Sequence, residues 1–455
     1  MKKSNDLSII ILAAGKGTRM KSTTPKIMQK VAGTEMVNLV IKAAGKLNPK
    51  NITLVISRDL ILSKEDIKKN HPDLTINFAI QNERLGTANG VAIGLKSIAH
   101  LAKNTLILYA DAPLITIATL EKMLDQILMQ DLCILAFDCF EDNNYGRLIT
   151  DKNNQLKAII EYKDASLEQR KIALCNSGII AIKSNHLKNL LPKINNNNAA
   201  KEYYLTDIIA LAKKDNLKCS YIKTNQEEVL GVNSMLELSR VEAIKQDQLR
   251  KKFMDLGVKL IDPKSVYFCD DSEVASDVVI HPQVIFGPQV KIASGVEIKS
   301  FCHIEGVEIA KNAVIGPFAR IRPGSKIGEN VRIGNFVEVK KSNIGAGSKI
   351  NHLSYIGDTE LGKNSNIGAS TITCNYDGYN KFVTKIGDDV FIGSHATLIA
   401  PVKIADNSVI GAGSVITKDV NKNSLAVSRA KQNNIEDGAK SYHLRKSKLK
   451  DGPKK

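Results

Sequence analysis

Up to about residue 230, short apolar runs alternate with stretches that place apolar residues at helical spacing. Residues 8–13, 52–56 and 105–109 are β-rich runs, each ending near glycine or polar residues. Between them, residues 35–47 and 90–102 read as helices, with Val37, Val40, Ile41 and Ala44 on one face. Such alternation predicts a Rossmann-like α/β layout, a parallel sheet with helices on both faces. Ligands of such sheets sit at the carboxyl ends of the strands.

From residue 234 to about 254 the pattern is purely helical, with neither Gly nor Pro. Leu238, Val241, Ile244 and Leu249 form a narrow apolar stripe in which Lys245 also falls. A helix only partly buried is expected, serving as a rigid linker. The period then changes to six. Val274, Ile280, Phe286, Ile292, Ile298 and Ile304 begin the series, and Ile309, Ile315, Ile321, Ile327, Ile333 and Val339 continue it after a five-residue step. Ile344, Ile350 and Ile356, then Leu361 and Ile367, and finally Ile386 through Ile416 extend it. Three hexapeptides close one triangular coil of a parallel β-helix, here expected to be left-handed, with the periodic residues stacked inside. Glycine follows many periodic positions, Gly328, Gly345, Gly368 and Gly393 among them, and is expected at corners that need permissive dihedrals. Residues 371–384 break the period and are expected to bulge out as a functional loop. The expected organisation is therefore residues 1–235, a linker helix 236–256, and a β-helix 257–455.

A chain of 455 residues fits two or three domains, and 43% apolar with 24% charged residues is ordinary for a globular protein. No run approaches the ~20 apolar residues of a membrane helix, and the Met1-Lys2-Lys3 start leads to no cleavage-site pattern. A cytoplasmic protein without a membrane span is expected. Seven scattered cysteines lack any Cys-x-x-Cys pair and read as small buried hydrophobes. The net charge of +17 raises nucleic acid as a partner, but residues 440–455 alone carry Lys440, Arg445, Lys446, Lys448, Lys450, Lys454 and Lys455 against Asp451. That reads as a solvated terminus. With aromatics at 5% and no Trp, stacking platforms are lacking, so anionic small substrates are the expected partners and nucleic acid is not.

The first run leads into Leu12-Ala13-Ala14-Gly15-Lys16-Gly17-Thr18-Arg19-Met20, with Pro25-Lys26 beyond. It is neither a dinucleotide fingerprint nor a Walker loop. Its small residues let backbone N–H groups approach phosphate, and Arg19 and Lys26 add positive charge. This segment resembles the opening signature of sugar-nucleotidyltransferases. Gln81 with Leu85-Gly86-Thr87-Ala88 is similar to their base-recognition segment, and Tyr109-Ala110-Asp111-Ala112-Pro113-Leu114 to their metal-binding aspartate turn. Tyr145-Gly146-Arg147, Glu161-Tyr162-Lys163-Asp164, Asn176-Ser177-Gly178 and Gly231-Val232-Asn233 resemble the sugar-binding segments and the second metal ligand.

With the β-helix included, the whole chain resembles the bacterial bifunctional N-acetylglucosamine-1-phosphate uridyltransferase / glucosamine-1-phosphate acetyltransferase family. The resemblance implies two reactions that end in UDP-N-acetylglucosamine for cell-wall and lipopolysaccharide synthesis, with UTP and acetyl-CoA as substrates, Mg²⁺ as cofactor and a homotrimer as the working form. It implies that Leu12, Ala13, Gly15, Lys26, Gln81, Gly86, Thr87, Tyr109, Asp111, Gly146, Glu161, Asn176 and Asn233 bind the nucleotide and sugar. Asp111 and Asn233 would hold the metal, and Arg19 and Lys26 would stabilise phosphate charge. In the second half His352, within Asn351-His352-Leu353-Ser354-Tyr355, would be the general base. Imidazole titrates near neutrality and suits deprotonation of an attacking amine. Arg322, Lys340, Tyr355, Asn366 and Lys381 would hold glucosamine phosphate, and Ala369, Asn375, Tyr376, Ser394, Ala412 and Arg429 acetyl-CoA. Two departures stand out. Ala110 replaces a glycine, and its methyl is expected to narrow the backbone approach slightly. The family's Trp and its arginine-rich neighbours give way to Gly438-Ala439-Lys440-Ser441-Tyr442-His443, leaving Arg429 and the basic tail as substitutes.

A nucleotidyltransferase with a merely regulatory β-helix would lack the His352–Tyr355 and Asn375–Tyr376 groups. A non-catalytic assembly subunit would be expected to lose Arg19, Lys26 or Asp111. All are present.

Overall fold

The computed structural model describes residues 6–141 and 143–450. The Met1-Lys2-Lys3 start, and Asp451, Lys454 and Lys455 of the basic terminus, lie outside them. Two compact units emerge, one of residues 1–252 with 267–270, the other of residues 253–266 with 271–455.

The first unit is built on strands β1 (Leu7–Leu12), β2 (Asn51–Ile56), β3 (Ile76–Ile80), β4 (Asn104–Tyr109), β5 (Leu132–Asp138), β6 (Arg147–Thr150), β7 (Leu156–Ile160), β8 (Leu174–Lys183) and β9 (Cys219–Lys223). The order across the main sheet is β9-β5-β8-β4-β1-β2-β3, and β6 and β7 form a hairpin against β8. Successive residues of β1 feed opposite faces. Ile9 and Ile11 join the core that holds helix Met36–Gly45, while Ile10 joins the one packed by Ala88 and Val91 of helix Thr87–Lys96. The sheet is not wholly parallel as expected. β8 runs antiparallel to both β4 and β5. Alternating strands and helices do not encode the direction of a strand reached after a hairpin, so periodicity alone misses this reversal.

The long helix spans Met235–Asp255. Val241 packs with Met20, Val31, Met36, Leu39, Leu114 and Val232, and Leu238 and Ile244 lie against that cluster. Lys245 is placed among the apolar positions because its ammonium reaches Asp270 at 2.6 Å. The first compact unit thus takes in most of this helix.

In the second unit three parallel sheets run along a left-handed β-helix, and every periodic position from Val274 to Ile416 is buried. One turn shows the plan. Lys349–His352 lies on the first face, Tyr355–Gly357 on the second and Thr359–Leu361 on the third. Gly328, Gly345, Gly368 and Gly393, which follow periodic positions, do not serve the left-handed corners as expected. The left-handed corner positions are shared by Phe301, Asn312, Phe318, Asn330, Phe336 and Leu353 with other glycines, Gly295, Gly324 and Gly347, all with positive φ. Glycine is needed instead where coils stack. A Cβ at Gly345 would lie 2.5 Å from backbone atoms of Gly362, and one at Gly393 2.5 Å from the nitrogen of Ala412. The interruption at 371–384 is also shorter than expected, since Ile372–Cys374 is a strand of the second face and the excursion begins at Asn375.

The carboxyl end forms an exposed helix, Gly438–Lys450. Six cysteines are buried and Cys374 is half-buried, none in a disulfide. Burial pushes the thiols of Cys133, Cys175, Cys219 and Cys302 up to about 11, so they stay protonated at neutral pH. Among the described residues no helix is long and apolar enough to cross a membrane.

Candidate functional sites

In the first unit the loop after β1 folds onto Lys26. A Cβ at Gly17, where φ is 62°, would lie 2.7 Å from the Cβ of Lys26, so only glycine permits this closure. Leu12, Ala13, Gly15, Lys26, Gln81, Gly86, Thr87, Tyr109 and Asp111 all line one cavity of about 260 Å³. It lies at the carboxyl ends of β1 and β4, where such sheets take ligands. The Lys26 ammonium is paired with the Asp111 carboxylate and donates to Asn233 Oδ1 at 3.2 Å. The Val232 N–H donates to the Asp111 carbonyl at 2.9 Å, which brings the second expected metal residue beside the first. Ala110 does not narrow this approach, because it is fully buried in the apolar core.

Arg19 lines a neighbouring cavity of about 410 Å³ together with Tyr145, Gly231 and Asn233. Gly146, Glu161 and Asn176 form a group of their own. The Asn176 N–H donates to the Gly146 carbonyl at 2.8 Å, and a Cβ at Gly146 would lie 3.5 Å from Glu161 Oε2. Asn176 Oδ1 accepts the Gly178 N–H at 3.0 Å, and Gly178 sits so close to the Tyr109 ring that a Cβ would lie 2.7 Å from it. Burial raises the Glu161 carboxyl above its usual range, the Thr206 hydroxyl opposes this at 2.9 Å, and Asp207, Asp164 and Glu202 add to the rise. Burial likewise raises Tyr109, with Glu161 and Asp111 adding to it, so its phenol stays neutral and can donate. Arg84 escaped the sequence reading. It lines the first cavity, and its Nε donates to the Ala14 carbonyl at 2.7 Å, bracing the loop. Thr206 escaped as well, because it reaches Glu161 only through the fold.

In the β-helix, residues separated by one coil of 17 or 18 positions lie side by side. Asn335 pairs in register with His352, and its Oδ1 lies 2.8 Å from His352 Nδ1. With the amide oxygen facing the ring, the Nδ1–H donates and Nε2 keeps its lone pair toward solvent. The same column continues through Ala369, Ser394 and Ala412. The Ser370 N–H donates to the His352 carbonyl at 3.2 Å, and a Cβ at Gly368 would lie 2.5 Å from the Ser394 nitrogen. Arg429 donates to the Ala412 carbonyl at 2.8 Å. The expected base and most expected acyl residues therefore share one edge.

On the other edge of the second face stand Arg322 and Lys340, in register one coil apart. Arg322 donates to Glu338 at 2.9 Å, and Lys340 to Asp358 at 2.9 Å. The Tyr355 ring lies over Gly357, where a Cβ would fall 2.6 Å from its hydroxyl. Lys381 comes from the excursion, and its side-chain hydrogen bond with Lys340, together with that residue's charge, depresses it. Tyr376 is exposed, its hydroxyl donating to the Gly378 carbonyl, whereas Asn375 is buried with its amide on Asp358. Asn366 is not brought to this group. It lies on the first face, in register with Lys349 and Phe391. Asn335, Glu338 and Asp358 were not found from the sequence, though the coil-length offsets of 17 from His352, 16 from Arg322 and 18 from Lys340 carry their signal.

The geometry thus holds a pocket at strand ends, lined by Lys26, Arg84 and Asp111, and, separately, a β-helix that carries an imidazole on one face and Arg322 with Lys340 on the next. Known proteins match both halves. Residues 9–145 match the MobA-like NTP transferase domain, and residues 306–341 and 384–418 match the bacterial transferase hexapeptide repeat. The chain is a two-part transferase, a nucleotidyltransferase followed by a hexapeptide-repeat transferase. The bifunctional protein GlmU of Paramagnetospirillum magneticum is 45% identical over 98% of this chain and 99% of its own length. That of Zymomonas mobilis is 44% identical over 97% and 98%. The chain belongs to the bifunctional GlmU family.

Proposed function

We propose that the protein acetylates glucosamine-1-phosphate with acetyl-CoA, and then transfers UMP from UTP to N-acetylglucosamine-1-phosphate, giving UDP-N-acetylglucosamine for cell-wall synthesis. The observation that carries the reading is the His352–Asn335 pair in line with Ala369, Ser394 and Ala412, one face away from Arg322 and Lys340. A sugar carrying both an amine and a phosphate calls for these two kinds of group, a base for the amine and cations for the phosphate.

In acetyl transfer the sugar amine attacks the thioester carbonyl. His352 Nε2 takes the amine proton while Asn335 holds Nδ1–H, and the coenzyme A thiolate leaves when the tetrahedral centre collapses. Arg322, Lys340, Tyr355, Asn366 and Lys381 hold the phosphate and the sugar. Backbone groups along Ala369, Ser394 and Ala412, with Asn375, Tyr376 and Arg429, hold acetyl-CoA, and the Ala369 N–H is the candidate oxyanion donor.

In the second reaction the sugar-phosphate oxygen attacks the α-phosphorus of UTP and pyrophosphate leaves in line. No protein nucleophile is required. Gln81, Gly86 and Thr87 receive the base. Gly146, Glu161 and Asn176 hold the sugar, and Arg19 and Lys26 meet the developing phosphate charge. Asp111 and Asn233 fit a hard divalent cation, since their two oxygens already share the Lys26 ammonium. Mg²⁺ there would neutralise phosphate oxygens and keep water in its remaining positions. The test supplies glucosamine-1-phosphate, acetyl-CoA, UTP and Mg²⁺ and looks for UDP-N-acetylglucosamine. Absence of the product sinks the reading.

The ionisation of Glu161 sets up a stability trade-off. A carboxyl whose folded value is raised favours the fold below its unfolded value, and that contribution is lost as pH rises through the raised one. Wherever the group is ionised it therefore costs stability. Glu161→Gln keeps the acceptor for Thr206 and is expected to raise the melting temperature by about 2–4 °C, the shift that roughly 1 kcal/mol produces in a domain of this size. It should also raise KM for N-acetylglucosamine-1-phosphate about tenfold, as loss of a charged hydrogen bond does. Calorimetry with initial-rate kinetics reads both, and a lower melting temperature would contradict the electrostatic account.

The working form is a homotrimer. Asn366 faces outward on one side of the β-helix and the other sugar-phosphate residues on another, so a neighbouring chain must bring them together. The exposed rings of Phe301, Phe318 and Phe336 stack at 4.8 and 5.1 Å along the corner between these two faces, leaving an apolar stripe to be covered. The third face instead carries the ion pairs Lys291–Glu273, Lys326–Glu308 and Lys385–Glu360, which suit water. Sedimentation at micromolar concentration should show a trimer, and Phe318→Glu should shift it toward monomer and depress acetyl transfer at least about tenfold more than uridyl transfer. A wild-type monomer with full acetyl transfer would refute the assembly.

A further inference from the structure

We propose that Asp358 is a positioning residue for acetyl transfer, clipping the 375–383 excursion to the phosphate-holding Lys340 so that the two substrate subsites are set together. The inference rests on the acetyltransferase reading above. Asp358 occupies the corner between the second and third faces with φ 47°, and its side chain is only 6% exposed. Its N–H donates to the Lys340 carbonyl at 2.9 Å, fixing it one coil beyond that residue. One carboxylate oxygen accepts from Lys340 Nζ at 2.9 Å and from the Asn375 side-chain amide. The other faces Lys341 Nζ at 4.0 Å. The Asp358 carbonyl accepts the Thr384 N–H at 3.2 Å. A single residue therefore holds the first side chain of the excursion and the backbone just after its last residue.

A buried carboxylate is costly unless paired and hydrogen-bonded, and this one is paired with Lys340 and accepts two bonds at one of its oxygens. Burial raises its pKa, but the bonds from Lys340 and Asn375 outweigh that and hold it below the usual carboxylate range. The bond to Asp358 also raises Lys340, which keeps the clamp charged. A structural staple alone would need only the backbone bonds to Lys340 and Thr384. The side chain adds a bridge from Lys340, on the sugar-phosphate side, to Asn375, which begins the segment assigned to acetyl-CoA. Linkage then requires that disturbing either end be felt at the other.

Asp358→Asn in the full-length protein removes the charge and keeps the shape. It should raise KM for both glucosamine-1-phosphate and acetyl-CoA about tenfold or more, the loss expected for a charged hydrogen bond. The kcat at saturation should stay within about threefold, because His352 and Asn335 are untouched. Uridyl transfer, assayed with N-acetylglucosamine-1-phosphate supplied, should be unchanged. A rise in only one of the two KM values, or in neither, overturns the bridge. If Asp358→Asn fails to fold, Asn375→Ala decides. It leaves the Lys340–Asp358 pair in place, and it should still raise KM for glucosamine-1-phosphate several-fold, whereas an unchanged value overturns the proposal. Wild-type protein that never acetylates glucosamine-1-phosphate overturns the acetyltransferase reading itself, and the inference with it. That outcome is distinct from an active enzyme indifferent to Asp358.

Discussion

His352→Ala is expected to lower kcat of acetyl transfer by about 10²–10⁴-fold, the range for loss of a general base. The side chain is exposed at the edge of the first face, and its one described bond is to Asn335, so nothing in the β-helix core depends on it. The melting temperature should therefore hold. KM for glucosamine-1-phosphate should change little, since Arg322, Lys340 and Lys381 carry the phosphate, and uridyl transfer should be untouched. An inward substitution such as Ile350→Ala behaves differently. That residue is fully buried, and the cavity left behind costs about 2–5 kcal/mol, so the coil itself would suffer. Measuring kcat, KM and melting together separates the two. If His352→Ala melts the domain, or leaves kcat near wild type, another group or water accepts the proton.

Asp111→Ala is expected to lower uridyl transfer by about 10²-fold or more, the scale on which removing one charge-stabilising group acts. Asp111 is both a proposed metal ligand and the partner of Lys26, so the variant disturbs the cation and the lysine together. Titration calorimetry with Mg²⁺ and UTP should show weakened metal-dependent binding, independent of turnover. Acetyl transfer should be retained, because none of its proposed groups lies in the first unit. Loss of acetyl transfer in this variant would count against independent sites.

Much of the cavity proposed for the nucleotide was readable because its lining residues cluster in short motifs. Leu12 to Lys26, Gln81 to Thr87, and Tyr109 with Asp111 each follow a strand, and parallel strands deliver their ends to one rim. Gly146, Glu161 and Asn176 were less accessible, since they depend on a hairpin and an antiparallel strand that periodicity does not orient. The β-helix site divides in the same way. His352 stands out as an imidazole among residues written for packing. Asn335 and Asp358 do not, because an asparagine or aspartate near a corner is ordinary in any coil.

The sequence by itself determined the two architectures, the buried series from Val274 to Ile416, and the pocket-lining motifs of the first half, because hydrophobic period and local turn chemistry act over a few residues. Tertiary structure alone decided the direction of β8, the packing of the long helix onto Met20 and Leu114, and the true use of the glycines. It also decided which polar side chains meet: Asn335 with His352, Thr206 with Glu161, and Asp358 with both Lys340 and Asn375. Those contacts join residues 17 to 45 positions apart. Their strength depends on burial and on the stacking of coils, and neither exists until the chain has folded.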